Sequence, residues 1–272
     1  MEKTNKRSLR SLTSTIVPVG ILVIIVVFFQ IISSGRLLTT GNIRSIFNNM
    51  FSIAIGAAGV SFLMAQGNLD FSLGGIAGFA AAVSGYAAHV SPVLSVLAGL
   101  VVGGLCGLLN GFVHAKLHIS AIITTLSSAY IFRGIQCVLL EFNAVSLPAS
   151  MMSLENQTLK IIVMVGVLLI CGVVYNHYRF GKFSKAIGSR PEAAAQSGVR
   201  VDRMRIAAFV VAGVCAGIAG FFFLVRAASV SANTGSSFEF NVLLALLIGG
   251  MPISGGSGTK YRAVVLGSLI MA

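Results

Sequence analysis

Apolar residues run in long blocks along this sequence, and short polar stretches separate them. The blocks lie near residues 16–32, 46–65, 71–90, 92–113, 120–140, 159–175, 206–226 and 241–254, and a last one starts near Ala263. Most reach or approach the roughly 20 residues that a helix needs to cross hydrocarbon. The alternating strands of about ten residues that build a membrane barrel are missing. The pattern predicts an all-α fold, a polytopic transmembrane helical bundle of about 8–9 hydrophobic segments over residues 1–272 as a single domain. Broken or re-entrant Gly-rich turns interrupt it.

Composition agrees. The chain is 56% hydrophobic and 10% charged, with a mean hydropathy of +0.94, whereas soluble domains carry about 25% charged residues. The formal net charge of +12 reads as a topology signal, since basic residues collect on cytoplasmic loops. No basic patch interleaved with aromatics points to nucleic acid.

Orientation follows from the same charges. Residues 1–15 are basic and are read as a cytoplasmic N-terminus, followed by an uncleaved first span. The 16–32 run is long for a signal-peptide core, and the SSGR after it is a poor cleavage site. Six crossings then return the chain to the cytoplasm at Asn176, where the most basic loop, 176–205, begins. Residues 179–205 carry seven of the 19 basic residues. The 144–158 loop, with Glu155 and no basic residue, falls outside.

Inside the basic loop the sequence predicts a short helix. Ser189 is an N-cap candidate, Pro191 fits the first turn, and Glu192 completes a capping box. Ala193, Ala194 and Ala195 are strong helix formers, and Gly198 is placed to end the helix in the left-handed region. Such a helix is too short to span a bilayer and suits a contact at its surface.

Two breaks stand out. AQGNLDFSLGG, residues 65–75, presents Asn68, Asp70 and Ser72 between two apolar blocks. It reads either as a turn capped by Asp70 or as a polar element of a translocation path. GGMPISGGSGTK, residues 249–260, lacks the spacing of a Walker A loop and reads as a close-packed turn. Arg133, in or near the end of the fifth block, and Glu239, in a polar stretch at 229–240, either line a path or reach the interface and water. Gly99, Gly103, Gly107 and Gly111 recur every fourth residue, and Gly213 and Gly217 repeat the spacing, which lets helix backbones approach closely in lipid.

Catalytic and metal chemistry find no support. Cys106, Cys137, Cys171 and Cys215 lie in separate apolar blocks without CxxC spacing and read as core residues. The four histidines share no ligand spacing, and no metal site is assigned. Paired carboxylates, Ser/His/Asp sets and HExxH helices are missing, so the chain does not read as an enzyme.

Three blocks carry a family resemblance, from about Asn42 onward. GNLDFSLGG (67–75), LNGFVHAKLHIS (109–120) with the later Thr125-Leu126 and Arg133-Gly134, and the basic loop through GGMPISGGSGT together resemble the permease subunit of bacterial ABC importers of the ribose/monosaccharide type. Met251-Pro252 and Ser120-Ala121 depart from the family pattern. The resemblance implies that a separate ATPase subunit, which uses ATP and Mg, docks on the short helix at Ser189, Arg190, Pro191, Glu192, Ala193, Ala194, Ala195, Ser197 and Gly198. This chain would hold no cofactor. An extracytoplasmic solute-binding protein would deliver the sugar, and a second permease chain, identical or paralogous, would complete the path in the bacterial cytoplasmic membrane. Relatives of this appearance carry ribose, xylose, galactose, arabinose or autoinducer-2; branched-chain amino acid permeases are a more distant sister group. Residues 263–272 are an incomplete last span, so the chain reads as truncated at its C-terminus. The alternatives are an ion-coupled secondary transporter using Asp70, Glu141 or Glu239, and a truncated, non-transporting membrane subunit.

Overall fold

The computed structural model describes residues 2–141 and 143–272, with side chains from Val17 onward. The helices are α1 (Glu2–Ile32), α2 (Thr40–Ala65), α3 (Leu73–Ala88), α4 (Pro92–Lys116), α5 (Ala121–Leu139), α6 (Gln157–His177), α7 (Arg179–Ser189), α8 (Pro191–Gln196), α9 (Val201–Ala227), α10 (Phe238–Ile248) and α11 (Arg262–Met271). Among the described residues, α2, α4, α5, α6 and α9 are long and apolar enough to cross a membrane. The expected helical bundle is present.

Two blocks fold as shorter helices than their apolar length predicts. Residues 71–90 give α3, of 16 residues, and 241–254 give α10, of 11 residues. A turn at Asp70 and Ser72 delays the first. The second is stopped by Gly250, whose φ of +91 accompanies bonds from the Gly250 and Met251 amides back to the carbonyls of Leu247 and Leu246. A side chain at Gly250 would strain that left-handed turn. The last block gives the 10-residue α11.

The bundle is organised around α9. Its buried positions (among them Ala208, Phe209, Ala212, Cys215, Ala216, Ala219 and Leu224) surround the helix, as expected of a helix that is apolar on all sides. Antiparallel to it, α4 presents the predicted glycine face. A Cβ added at Gly103 would collide with the Gly213 carbonyl oxygen, one at Gly107 with the Phe209 carbonyl oxygen, and one at Gly217 with the Gly99 carbonyl oxygen. The two backbones therefore touch directly, which is how small residues drive association where lipid cancels the hydrophobic effect. α2 meets α9 at Gly59, opposite Ala212 and Cys215, and α3 meets it at Gly220, opposite Ala77. The outer faces of α4, α5 and α6 leave large apolar side chains such as Leu105, Ile131 and Ile170 exposed, as lipid-facing surfaces do.

Two ends of the bundle are structurally distinct. At one, a two-stranded antiparallel ribbon joins β1 (Val145–Ser146) to β2 (Ser229–Val230), pairing Val145 with Val230. Lys160, 2% exposed, is held there by Asn48 Oδ1 at 3.0 Å and by the carboxylate of Glu155. At the other end, the α7–α8 hairpin covers the ends of α2 and α9. After β2 the chain turns back into the bundle. Gly235 packs against Gly74 and Gly78 of α3, and Phe238 and Val242 of α10 pack against Gly56, past the middle of α2.

Candidate functional site

The basic loop of the sequence is not a loop. It folds as α7, which the apolar pattern alone did not reveal, followed at once by α8. Amphipathic α7 buries Gly181, Ser184 and Ile187. Lys185 lies with Nζ 4.2 Å above the Tyr175 ring and donates to the Tyr175 carbonyl at 3.3 Å; burial pulls its pKa below the usual lysine value.

The expected capping box does not form. Arg190 is the N-cap of α8 and Pro191 its first residue. Ser189 belongs to the last turn of α7, where its hydroxyl donates to the Lys185 carbonyl at 3.1 Å. Two consecutive helices leave no room for Ser189 to adopt a cap conformation. The predicted stop is present: Gly198 has φ +83, and the Gly198 and Val199 amides bond back to Ala195 and Ala194 at 2.9 and 3.1 Å. Ser189, Arg190, Ala193, Ala194 and Ser197 line one surface groove of about 510 Å3 with Phe183, Ala186 and Val199. Pro191, Glu192, Ala195 and Gly198 lie outside that groove, with Glu192 and Ala195 exposed.

The hairpin is seated on both sequence breaks. Gln66, directly after α2, donates to Ser184 Oγ at 3.2 Å and to the Met204 carbonyl at 3.1 Å. Ser189 Oγ accepts from the Ser257 amide at 3.1 Å. Gly188 lies so close to the Ala65 carbonyl and the Gly256 nitrogen that a Cβ would overlap both, and Gly255 lies against Gly67 in the same way. The 65–75 and 249–260 segments thus meet beneath α7.

The path candidates fall into two groups. Asp70, 1% exposed, accepts from the Ser72 amide at 2.8 Å and from Ser72 Oγ at 2.5 Å. Asn110 of α4 donates to Ser72 Oγ at 2.8 Å. Asp70 therefore shapes the turn before α3 and makes no side-chain cap to the helix, while Asn68 sits half-buried in the same turn. Arg133 lies in the interior of α5, not near its end. Its Nη2 is 3.6 Å from Glu239 Oε1 and its Nη1 donates to Ser236 Oγ at 3.0 Å. This pair lines a cleft of about 240 Å3 with Phe71, Tyr130, Ser236 and Phe240. Glu141, the third acid weighed, is exposed beyond the end of α5.

Sequence reasoning passed over Asn110 and Gln136 as individual site residues. Gln136 of α5 donates to the Ser231 carbonyl at 2.8 Å and so fastens the inward-turning segment. The available signal was a buried amide inside an apolar block, where a polar side chain needs a partner.

The described assembly of glycine-mated helices, paired breaks and an exposed hairpin coincides with a known family. Residues 42–272 match the family model described as branched-chain amino acid transport system / permease component. The chain belongs to this permease family. Its members are transport components, and the multi-pass helical architecture agrees with that. The permease is 28% identical over 274 residues to the fructose import permease protein FrcC of Rhizobium meliloti, covering 94% of this chain and 75% of FrcC. It is 33% identical over 234 residues to the autoinducer 2 import system permease protein LsrC of Yersinia pseudotuberculosis, covering 83% of this chain and 66% of that protein. The Yersinia enterocolitica LsrC is 32% identical over 228 residues, covering 81% and 63%. The chain thus spans about two thirds to three quarters of the length of these relatives. No solved structure matches the permease.

Proposed function

We propose that this permease is the transmembrane subunit of an ATP-driven ABC importer for a monosaccharide or a related neutral polyol-like solute. The observation that carries this reading is the α7–α8 hairpin. It presents a short helix, closed at its C-terminus by Gly198, and it rests on the ends of α2, α9 and the Gly-rich turn. A force applied at α8 by a nucleotide-hydrolysing partner has a stiff route into the bundle.

The partners follow from that role: an ATPase subunit that seats α8, a solute-binding protein on the ribbon side, and a second permease chain, identical or paralogous, that completes the path. ATP and Mg belong to the ATPase. The hairpin end carries Lys116, Arg179, Lys182, Arg200 and Arg203, so the excess of positive charge supports a cytoplasmic hairpin and a cytoplasmic N-terminus. The names of FrcC and LsrC support a carbohydrate-like cargo.

Solute uptake by a reconstituted complex is expected to require the ATPase subunit and ATP. Uptake driven by a proton or sodium gradient without ATP would reject the reading. Within such a complex, Ala194→Pro removes the first helical bond of α8, from the Ala194 amide to the Arg190 carbonyl at 3.1 Å, and should uncouple ATP hydrolysis from uptake. Glu192→Pro is the weaker test, because a proline in the first turn removes no helical hydrogen bond.

A further inference from the structure

Arg133 and Glu239 form an ion pair that is not closed. Their nearest atoms are 3.6 Å apart, well beyond the roughly 2.7–2.9 Å of a charge-assisted hydrogen bond. Glu239 Oε2 is buried without a hydrogen-bond partner. The α3 backbone offers none there, since Gly74 packs directly onto that oxygen and onto the Gly235 carbonyl. The backbone just before Glu239 is strained as well, with Ser237 at φ +62, a conformation that non-glycine residues hold mainly where the surroundings impose it.

The position matters as much as the geometry. Arg133 is in the interior of α5, and it shares one face of that helix with Leu126, Ala129 and the exposed Tyr130. A charged pair on such a face is costly against lipid, so the face must look onto a water-filled or protein-covered space.

We propose that the cleft between α5 and α10 holds the solute in transit, with one solute hydroxyl bridging Arg133 and Glu239. This rests on the reading of the chain as a solute permease. A hydroxyl both donates and accepts, so one placed in the gap accepts from the guanidinium and donates to the carboxylate. It turns a single long contact into two hydrogen bonds of ordinary length. The pair carries no net charge, which disfavours anions and cations alike and suits a neutral polyol. Phe71, Tyr130 and Phe240 supply apolar surface for the C–H faces of a sugar ring, the usual mixture of apolar walls and few polar groups in a ligand site. The cleft volume of about 240 Å3 fits a small solute. Selectivity would then arise partly in the permease.

The test measures ATP-dependent uptake by the whole complex in proteoliposomes, using radiolabelled D-ribose, D-fructose, their singly deoxygenated analogues and L-leucine. Glu239→Gln and Arg133→Lys are each expected to reduce sugar uptake about tenfold or more, the scale of one lost hydrogen bond to a charged group. One deoxy analogue should be discriminated by the wild type and accepted equally by both variants. Wild-type uptake and wild-type deoxy discrimination in both variants would overturn the proposal while leaving the transport reading intact. A wild-type complex that moves none of these solutes with ATP would instead sink the transport reading. Should either variant fail to accumulate in membranes, Ser236→Ala decides: a raised KM for the sugar at unchanged maximal rate supports the site, and an unchanged KM removes it.

Discussion

The hydroxyl of Ser189 accepts the amide hydrogen of Ser257 at 3.1 Å, a bond between residues 68 positions apart. It fastens the end of α7 to the Gly-rich turn that leads into α11. Ser189→Ala is expected to cost about 1 kcal/mol, the usual net worth of one hydrogen bond, and to raise the ATP hydrolysed per solute moved. Gly188→Ala should be worse in both respects, because its new Cβ meets the Ala65 carbonyl and the Gly256 nitrogen. Thermal unfolding in detergent, together with stoichiometry in proteoliposomes, measures both.

The contact between α4 and α9 gives a sharper stability test. Gly103→Val forces apart backbones that already touch at Gly213 and Gly217, and overpacking of this kind costs about 1–3 kcal/mol or more. Gly166 of α6 is the control, with nothing within 4 Å of an added Cβ. Gly166→Ala should stabilise by about 0.5–1 kcal/mol through helix propensity. A Gly103→Val protein with an unchanged melting temperature would contradict the packing described.

At the ribbon end, Lys160 is 2% exposed and bonded to Asn48 and Glu155. Lys160→Met leaves the Glu155 carboxylate without its cation, and breaking a buried pair from one side costs about 3–5 kcal/mol. The partial exposure of Glu155, 33% at its side chain, places the expected loss at the lower end of that range. The double replacement Glu155→Leu with Lys160→Met should recover part of it. A single variant as stable as the wild type would show that the pair is solvated.

Gly198 offers a local test. Its φ of +83 is reached with open space around the missing Cβ, so Gly198→Ala pays for backbone strain alone, about 1 kcal/mol. Amide exchange across α8 should accelerate while the membrane helices keep their protection. Unchanged exchange at Ala194 and Ala195 would show that the Gly198 turn does not hold α8.

Much of this was legible in the residues. The apolar blocks located the long helices, and the four-residue glycine spacing anticipated the backbone contact that joins α4 to α9. Gly198 was recognisable as a stop, because only its lack of a side chain suits a left-handed turn. What stayed hidden depended on distant partners. Ser189 reads as a cap until α7 is seen to run directly into α8. The basic residues of α7 disguised its apolar stripe. Arg133 looked able to reach an interface, because nothing along α5 announces that Glu239, more than a hundred positions later, returns to meet it. The two breaks were found separately, but their meeting under α7 is a property of the fold alone.

The glycine contacts also divide the molecule mechanically. Where α9 touches α3 and α4, carbonyl oxygens already lie against the neighbouring backbone, and α2 meets it at Gly59 through Ala212 and Cys215. Those four helices therefore form one closely mated block. α5 is joined to that block through backbone as well, with Gly75 against the Ala129 carbonyl, and α11 is joined to the end of α10 at Gly249 and Gly267. The contact of α10 itself with the block is made by side chains instead, Phe238 and Val242 on Gly56 and Glu239 on Gly74, so α10 is the helix whose seating depends on rotamers.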